Sequence, residues 1–265
     1  NDVVIDSLVL SHQNEMIRLS GVMTDTTYKD FKIEFDNVDI GKITPDLDSL
    51  AITGNLNGKL NLLQEKGAYF PNTSLTVDDL TINDIVLGNL NIDVNGNESL
   101  TFYNIDATLK NKDFEALNAK GGIDVNADNP TINMDVALLN FNMAAFSPLG
   151  GEAIDNIRGF ASGDAQVTGN YRNPDITGKL ELQKAGLRVP YLKIDFDFQD
   201  NAVVNLSDQR FVFDEIEIVD TKYKTSGILD GSISHRNFKE WFLDLEITSD
   251  MLVVLGTEAE VAALY

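Results

Sequence analysis

The chain has 265 residues, 43% apolar and 23% charged, with 42 acidic side chains against 20 basic ones and no cysteine. That is enough apolar content for a sizeable core, which argues against disorder. With a formal charge of −22 and no basic patch, no counterion-release energy is available for binding phosphate backbones. Nucleic acid is disfavoured as a partner, as is plain electrostatic docking onto anionic lipid.

The absence of cysteine removes disulfides, thiolate metal sites and a thiol nucleophile. The longest uninterrupted apolar run, Met251 to Leu255, falls far below the ~20 residues that span a bilayer as a helix. No transmembrane helix is expected. The chain opens at Asn1 without an initiator Met, a basic n-region or an apolar h-region, so it is read as a mature or cut-out piece of a longer protein.

Alternation of apolar and polar residues dominates the chain, which is the signature of strands with one wet face. Ile52, Gly54, Leu56, Gly58, Leu60 and Leu62 share one parity and Thr53, Asn55, Asn57, Lys59 and Asn61 the other. Leu90, Ile92 and Val94 follow, ended by a turn at Asn95-Gly96-Asn97. After Asn129-Pro130 comes Ile132, Met134, Val136 and Leu138. Residues 142 to 156 (NMAAFSPLGGEAIDN) hold one or two helical turns before Pro148 and the Gly150-Gly151 pair break them. A turn at Asn173-Pro174-Asp175 precedes Leu180 and Leu182. Pro190-Tyr191 shifts the phase between Val189 and the run Leu192, Ile194, Phe196 and Phe198, which predicts an edge strand or a bulge. Phe211 and Phe213 are odd whereas Ile216 and Ile218 are even, so a bulge is predicted at Asp214-Glu215. Trp241, Leu243, Leu245 and Ile247 form the last alternating run, and 256 to 265 (GTEAEVAALY) is read as a short helix or a frayed end.

An internal repeat overlies these strands. Ile52-x-Gly54-x-Leu56-x-Gly58-x-Leu60-x-Leu62 matches Ile157-x-Gly159-x-Ala161-x-Gly163-x-Ala165-x-Val167 in spacing, and Gly54 to Gly159 is an offset of 105 residues. Leu90-Asn91-Ile92-Asp93-Val94 resembles Leu192-Lys193-Ile194-Asp195-Phe196 at about the same offset. The expected organisation is the end of a preceding repeat over 1–48, one repeat over 49–153 and a second over 154–265, stacked to share a core.

Catalytic chemistry has little to work with. The two histidines, His12 and His235, lie on polar stretches and read as surface residues at strand ends. There is no G-x-S-x-G elbow and no phosphate-cradling glycine loop before a helix. Gly54, Gly58, Gly159 and Gly163 sit inside alternating strands, where they suit a bent sheet or a close approach. Asp195 with Asp197, and Asp244 with Glu246, share strand faces and read as solvated carboxylates rather than catalytic dyads. Asp124-Val125-Asn126-Ala127-Asp128 carries alternating oxygens but lacks the glycine and glutamate that an EF-hand loop needs, so it reads as a turn. No enzyme, metal site or cofactor is expected.

The apolar parity is the feature with functional content. In a sandwich it is buried core; in a curved sheet folded on itself it lines an elongated trough. At about 0.8 kcal/mol per CH₂, an acyl chain of some sixteen carbons gains on the order of 10 kcal/mol there, while its headgroup stays in water.

Asn173-Pro174-Asp175-Ile176-Thr177-Gly178-Lys179-Leu180-Glu181-Leu182, preceded by Ile157-x-Gly159-x-x-x-Gly163-x-Ala165-x-Val167-x-Gly169, resembles the repeating signature of the translocation and assembly module (TamB) family. That family belongs to the AsmA-like group of bridge-like lipid transfer proteins. Gly178-Lys179-Leu180-x-Leu182 echoes Gly58-Lys59-Leu60-x-Leu62, so the resemblance runs through both copies of the repeat. It implies an all-β, elongated antiparallel β-taco, U-shaped in section with an apolar groove. It also implies a periplasmic location, an inner-membrane anchor and a BamA-like outer-membrane partner, both of the latter engaged through residues outside this chain, and transport of phospholipid acyl chains.

On this reading the groove is lined by Leu56, Leu60, Leu62, Leu90, Ile92, Val94, Ile132, Met134, Val136, Leu138, Leu180, Leu182, Leu192, Ile194, Phe196, Phe198, Phe211, Phe213, Ile216, Ile218, Leu243, Leu245 and Ile247. Two other readings stand beside it. One is a scaffold or chaperone-like module that receives outer-membrane protein strands at its sheet edges; the other is an extracellular β-sandwich adhesin.

Overall fold

The computed structural model describes residues 2–24, 28–44, 50–125, 129–236, 239–249, 252–257 and 260–264. Alternation translates into long strands: β1 (Val3–His12), β2 (Glu15–Met23), β3 (Lys29–Asp39), β4 (Ile52–Glu65), β5 (Ala68–Ile82), β6 (Ile85–Gly96), β7 (Phe102–Asn111), β8 (Phe114–Asp124) and β9 (Thr131–Asn142). They continue as β10 (Asp155–Asn170), β11 (Asn173–Val189), β12 (Ile194–Phe198), β13 (Ala202–Ser207), β14 (Arg210–Asp220), β15 (Ser226–Arg236) and β16 (Lys239–Thr248). The protein is all-β. These sixteen strands form one antiparallel sheet in chain order, except that β12 and β13 lie end to end, each pairing with β11 and β14. A separate hairpin pairs β17 (Leu252–Thr257) with β18 (Glu260–Leu264).

The chain divides into two compact units, one of Asn1–Leu47, Ala51–Val136 and Thr168–Arg172, the other of Asp48–Leu50, Ala137–Val167 and Asn173–Tyr265. In the second unit much of the apolar parity is sealed. Ile194, Phe196, Ile218 and Leu229 are its largest fully buried side chains, with the Phe198 and Phe213 rings stacked 5.8 Å apart beside them. Each fully buried side chain of this size contributes roughly 1.5–3 kcal/mol by leaving water.

A recurrent bulge accounts for two of the in-strand glycines, Gly58 and Gly231. In β3 the residues Asp36 and Asn37 intervene where Phe35 pairs with Gly58 and Val38 with Leu56. In β14, Asp214 and Glu215 intervene where Phe213 pairs with Gly231 and Ile216 with Leu229, at the predicted position. The second residue of each bulge is left-handed, φ 52° at Asn37 and 49° at Glu215. Its N–H leaves the ladder and donates to a side chain of the next strand, Asn57 Oδ1 at 2.7 Å and Asp230 Oδ1 at 2.8 Å. Each acceptor directly precedes its glycine. Gly58 (φ 127°) and Gly231 (φ 112°) hold a backbone that L side chains rarely adopt, and a Cβ there would stand 2.2 Å from Ser74 O and 2.1 Å from Asp244 O. The same donation recurs at Asp79, Asn140 and Lys184, to Asn89, Ser162 and Asp200. In these five bulges the left-handed residue thus keeps its backbone N–H satisfied.

Several local expectations are corrected. Pro190 begins a 3-10 turn, Pro190–Leu192, which ends at left-handed Lys193 (φ 54°). A proline has no N–H to lose and its fixed φ suits the first helical position, so the phase shift is a turn rather than a bulge. Leu192 belongs to that turn and the strand starts at Ile194. The connection before β11 is made by Tyr171 and Arg172, and Asn173, Pro174 and Asp175 already lie in the strand. From Gly256 onward the described residues, 256–257 and 260–264, are strand rather than helix: Thr257 pairs with Glu260 and Leu252 with Leu264, in a hairpin whose partner run carries the β-branched Val253 and Val254. The turns expected after Asn142 form one 3-10 helix, Met143–Gly150, capped by Asn142 Oδ1 and carried through Pro148 to Gly151.

Candidate functional site

The alternation has different consequences in the two units. In the first, register aligns the apolar residues in rows across the strands. One row runs Val38, Leu56, Val77, Leu90, Leu109 and Leu117, in which Leu56, Val77 and Leu109 are sealed at 7%, 4% and 2% exposure, Val38 is buried too, and Leu90 and Leu117 are half-buried. Four residues further along β4, the row Ile33, Leu60, Thr73, Val94, Ile105 and Gly121 is half-buried throughout. Leu62, Ile92, Ile132, Met134 and Val136 are half-buried as well, while Lys59, Asp93, Asn133 and Asp135 on the opposite parity are exposed. This unit therefore presents an apolar face that is buried at one end and partly open towards the other.

In the second unit Leu182, Ile194, Phe196, Phe198, Phe213, Ile216 and Ile218 are core residues, fully enclosed. Leu138, Leu180, Leu192, Phe211, Leu245 and Ile247 are half-buried around them, and Leu243 is exposed at 37%. The core leaves a cavity of about 200 Å³ bounded by Leu182, Leu187, Val204 and Phe213 at its base and by Met143, Phe146 and Trp241 at its rim. The only polar group among its lining side chains, the indole N–H of Trp241, donates to Leu149 O at 3.0 Å and so ties the 3-10 helix over the rim. An apolar-lined space of this size, a little above the ~150 Å³ that takes a benzene ring, suits hydrocarbon.

The carboxylates weighed as a dyad belong to a structural clamp. Arg158 donates from Nε and Nη2 to Asp197 Oδ1 at 3.0 and 2.6 Å and from Nη2 to Phe196 O at 3.0 Å. Its Nη2 also stands 2.8 Å from Asp195 Oδ1 as an ion pair, while Asp195 Oδ2 accepts from Asn156 at 2.9 Å. Asp244 and Glu246 are exposed. His12 ends β1 on the surface as expected. His235 does not: it shares the parity of core residue Ile233 and is 8% exposed, 5.7 Å from the Phe211 ring and 5.0 Å from that of Trp241. Burial pushes its pKa below the usual imidazole value.

Of the candidate calcium loop, 126–128 lie outside the described residues, and among the described residues no cluster of metal-ligating side chains occurs. No helix among them is long and apolar enough to cross a membrane.

Sequence reading missed one grouping, because it exists only once the register is known. Lys29, Gln64 and Tyr69 fall in line across β3, β4 and β5 on the apolar face. Comparison with protein-family models, curated proteins and solved structures found no match.

Proposed function

We propose that this chain is a non-enzymatic segment of a lipid-transfer protein whose apolar strand face shields the acyl chains of phospholipids moving between two membranes. The observation that supports this reading is the half-buried row through Ile33, Leu60, Val94 and Ile105. An apolar row that continues a sealed one, on strands whose other parity carries the charge, is a surface left for an apolar occupant. The resemblance to the TamB signature agrees with it and implies a periplasmic location, an inner-membrane anchor and a BamA-like outer-membrane partner.

Organic extraction of the purified chain followed by phosphorus assay tests the reading. Phospholipid should co-purify, and Val94→Asp combined with Ile105→Asp should strip most of it; a lipid-free native chain contradicts the proposal.

A second reading draws on β1. Among the described residues it pairs with β2 alone, and it exposes Val3, Val4, Leu8, Val9 and Leu10 on both parities. An edge of this kind suits strand addition by an outer-membrane protein. Polypeptide rather than lipid adducts from crosslinkers along β1 would distinguish it.

A further inference from the structure

On the apolar face of the first unit the inward positions are the odd residues 29–35 of β3, the even residues 56–64 of β4 and the odd residues 69–77 of β5. Lys29 is the one charged residue among them and Gln64 the one amide, in a chain with 42 acidic residues. Lys29 pairs across to Gln64, and Gln64 to Tyr69. Gln64 is 4% exposed and its Oε1 has no hydrogen-bond partner. An apolar residue would fill that position without leaving an acceptor unpaired, so packing does not explain it. Lys29 Nζ reaches over it to donate to Tyr69 Oη at 3.4 Å. A hydrogen bond that long is weak and opens readily.

We infer that Lys29, Gln64 and Tyr69 form a headgroup site for a phospholipid whose phosphate is joined to a hydrogen-bond donor, as in phosphoethanolamine. The inference rests on the acyl-chain reading of the adjoining face. Lys29 and Tyr69 part and donate to phosphate oxygens, and the unpaired Gln64 Oε1 accepts from the headgroup N–H. From Gln64 to Gly58, stopping short of the sealed row at Leu56, the strip spans six residue steps, about 20 Å at ~3.3 Å per residue. One leaflet of hydrocarbon is roughly 15 Å deep, half of the ~30 Å bilayer core, so the strip accommodates an acyl chain running from a headgroup at Gln64. Phosphocholine offers the same phosphate and no N–H or O–H, so the site discriminates against it.

Titration calorimetry of the 265-residue chain with dihexanoyl phosphatidylethanolamine and dihexanoyl phosphatidylcholine, both below their micelle concentrations, tests this. The ethanolamine lipid should bind about tenfold tighter, the worth of one charge-assisted hydrogen bond. Gln64→Met should erase the difference while leaving the choline lipid's affinity unchanged. Lys29→Met should weaken both lipids, and Lys29→Arg should restore them. Glycerophosphoethanolamine, the headgroup without chains, should not compete at lipid concentrations; if it binds as tightly as the lipid, the site takes free phosphoesters and the inference is wrong. Equal affinity of the two lipids for the unmodified chain, or discrimination surviving in Gln64→Met, overturns the headgroup site and leaves the acyl-chain reading standing. Binding of neither lipid overturns both. The two-lipid comparison needs no variant to fold.

Discussion

Replacing Gln64 by methionine separates a binding role from a packing role, because the two predict opposite signs of stability change. The side chains are similar in length, so the substitution keeps the volume at a position only 4% exposed and removes the Oε1 that has no partner. An unsatisfied buried acceptor costs about 1–3 kcal/mol, and volume-conserving swaps in a packed setting otherwise cost under about 1.5 kcal/mol. The expected net is a gain of about 1 kcal/mol, or a rise of roughly 2–4 °C in the midpoint for a chain of this size. Urea unfolding followed by circular dichroism should show a higher midpoint at unchanged slope. A loss of 1 kcal/mol or more would refute the reasoning, since it would mean that the amide oxygen is satisfied in the folded protein. The combination of higher stability and lost headgroup discrimination marks a polar group kept for a ligand.

Other substitutions test the fold on which this rests. Gly231→Ala places a Cβ 2.1 Å from Asp244 O at φ 112° and should cost about 2–3 kcal/mol through strain and strand displacement; a change below 0.5 kcal/mol, again by ~25 °C urea unfolding, would show that the bulge tolerates a side chain. Ile218→Ala, at 0% exposure, should cost about 2–5 kcal/mol, whereas Ile92→Ala on the half-buried face should cost roughly half as much while lowering lipid retention; equal costs would mean that the two faces are equally sealed. Burial holds the His235 pKa below its unfolded value, so the unfolded chain takes up the proton first. Stability should be full above about pH 6.5 and fall as the pH drops from there towards the folded-state pKa. His235→Phe should flatten that segment of a stability–pH profile, and an unchanged slope would exclude His235 as its source.

The strands were legible because period-2 alternation is local: Ile132, Met134, Val136 and Leu138 announce β9 without reference to any partner. The Asp214-Glu215 bulge was legible for the same reason, since one inserted residue inverts the parity of everything after it. The motif behind it was not. Phe35-Asp36-Asn37-Val38 and Phe213-Asp214-Glu215-Ile216 are the same device, yet its other half, Asn57-Gly58 and Asp230-Gly231, is contributed by the next strand. His235 was misplaced because it falls between polar Ser234 and Arg236, and only parity with Ile233 shows that it points inward. Which apolar residues are sealed was equally hidden. Leu56 and Leu60 are the same residue type on the same strand face, yet one is buried and the other half-buried; period-2 alternation assigns both to one face and carries no sign of how deeply each is covered. Lys29, Gln64 and Tyr69 are too far apart in the sequence to suggest a site until the pairing of three strands brings them together.

The central claim is that the open apolar face carries acyl chains. Photo-crosslinking side chains installed one at a time at Ile92, Val94, Asp93 and Asn95 of β6 test it most directly, because alternate residues of one strand sample the two faces at the same depth. After irradiation in cells, mass spectrometry of the purified chain should find phospholipid adducts at Ile92 and Val94 and none at Asp93 and Asn95. Equal capture at all four positions, or capture of polypeptide alone at Ile92 and Val94, would contradict the account.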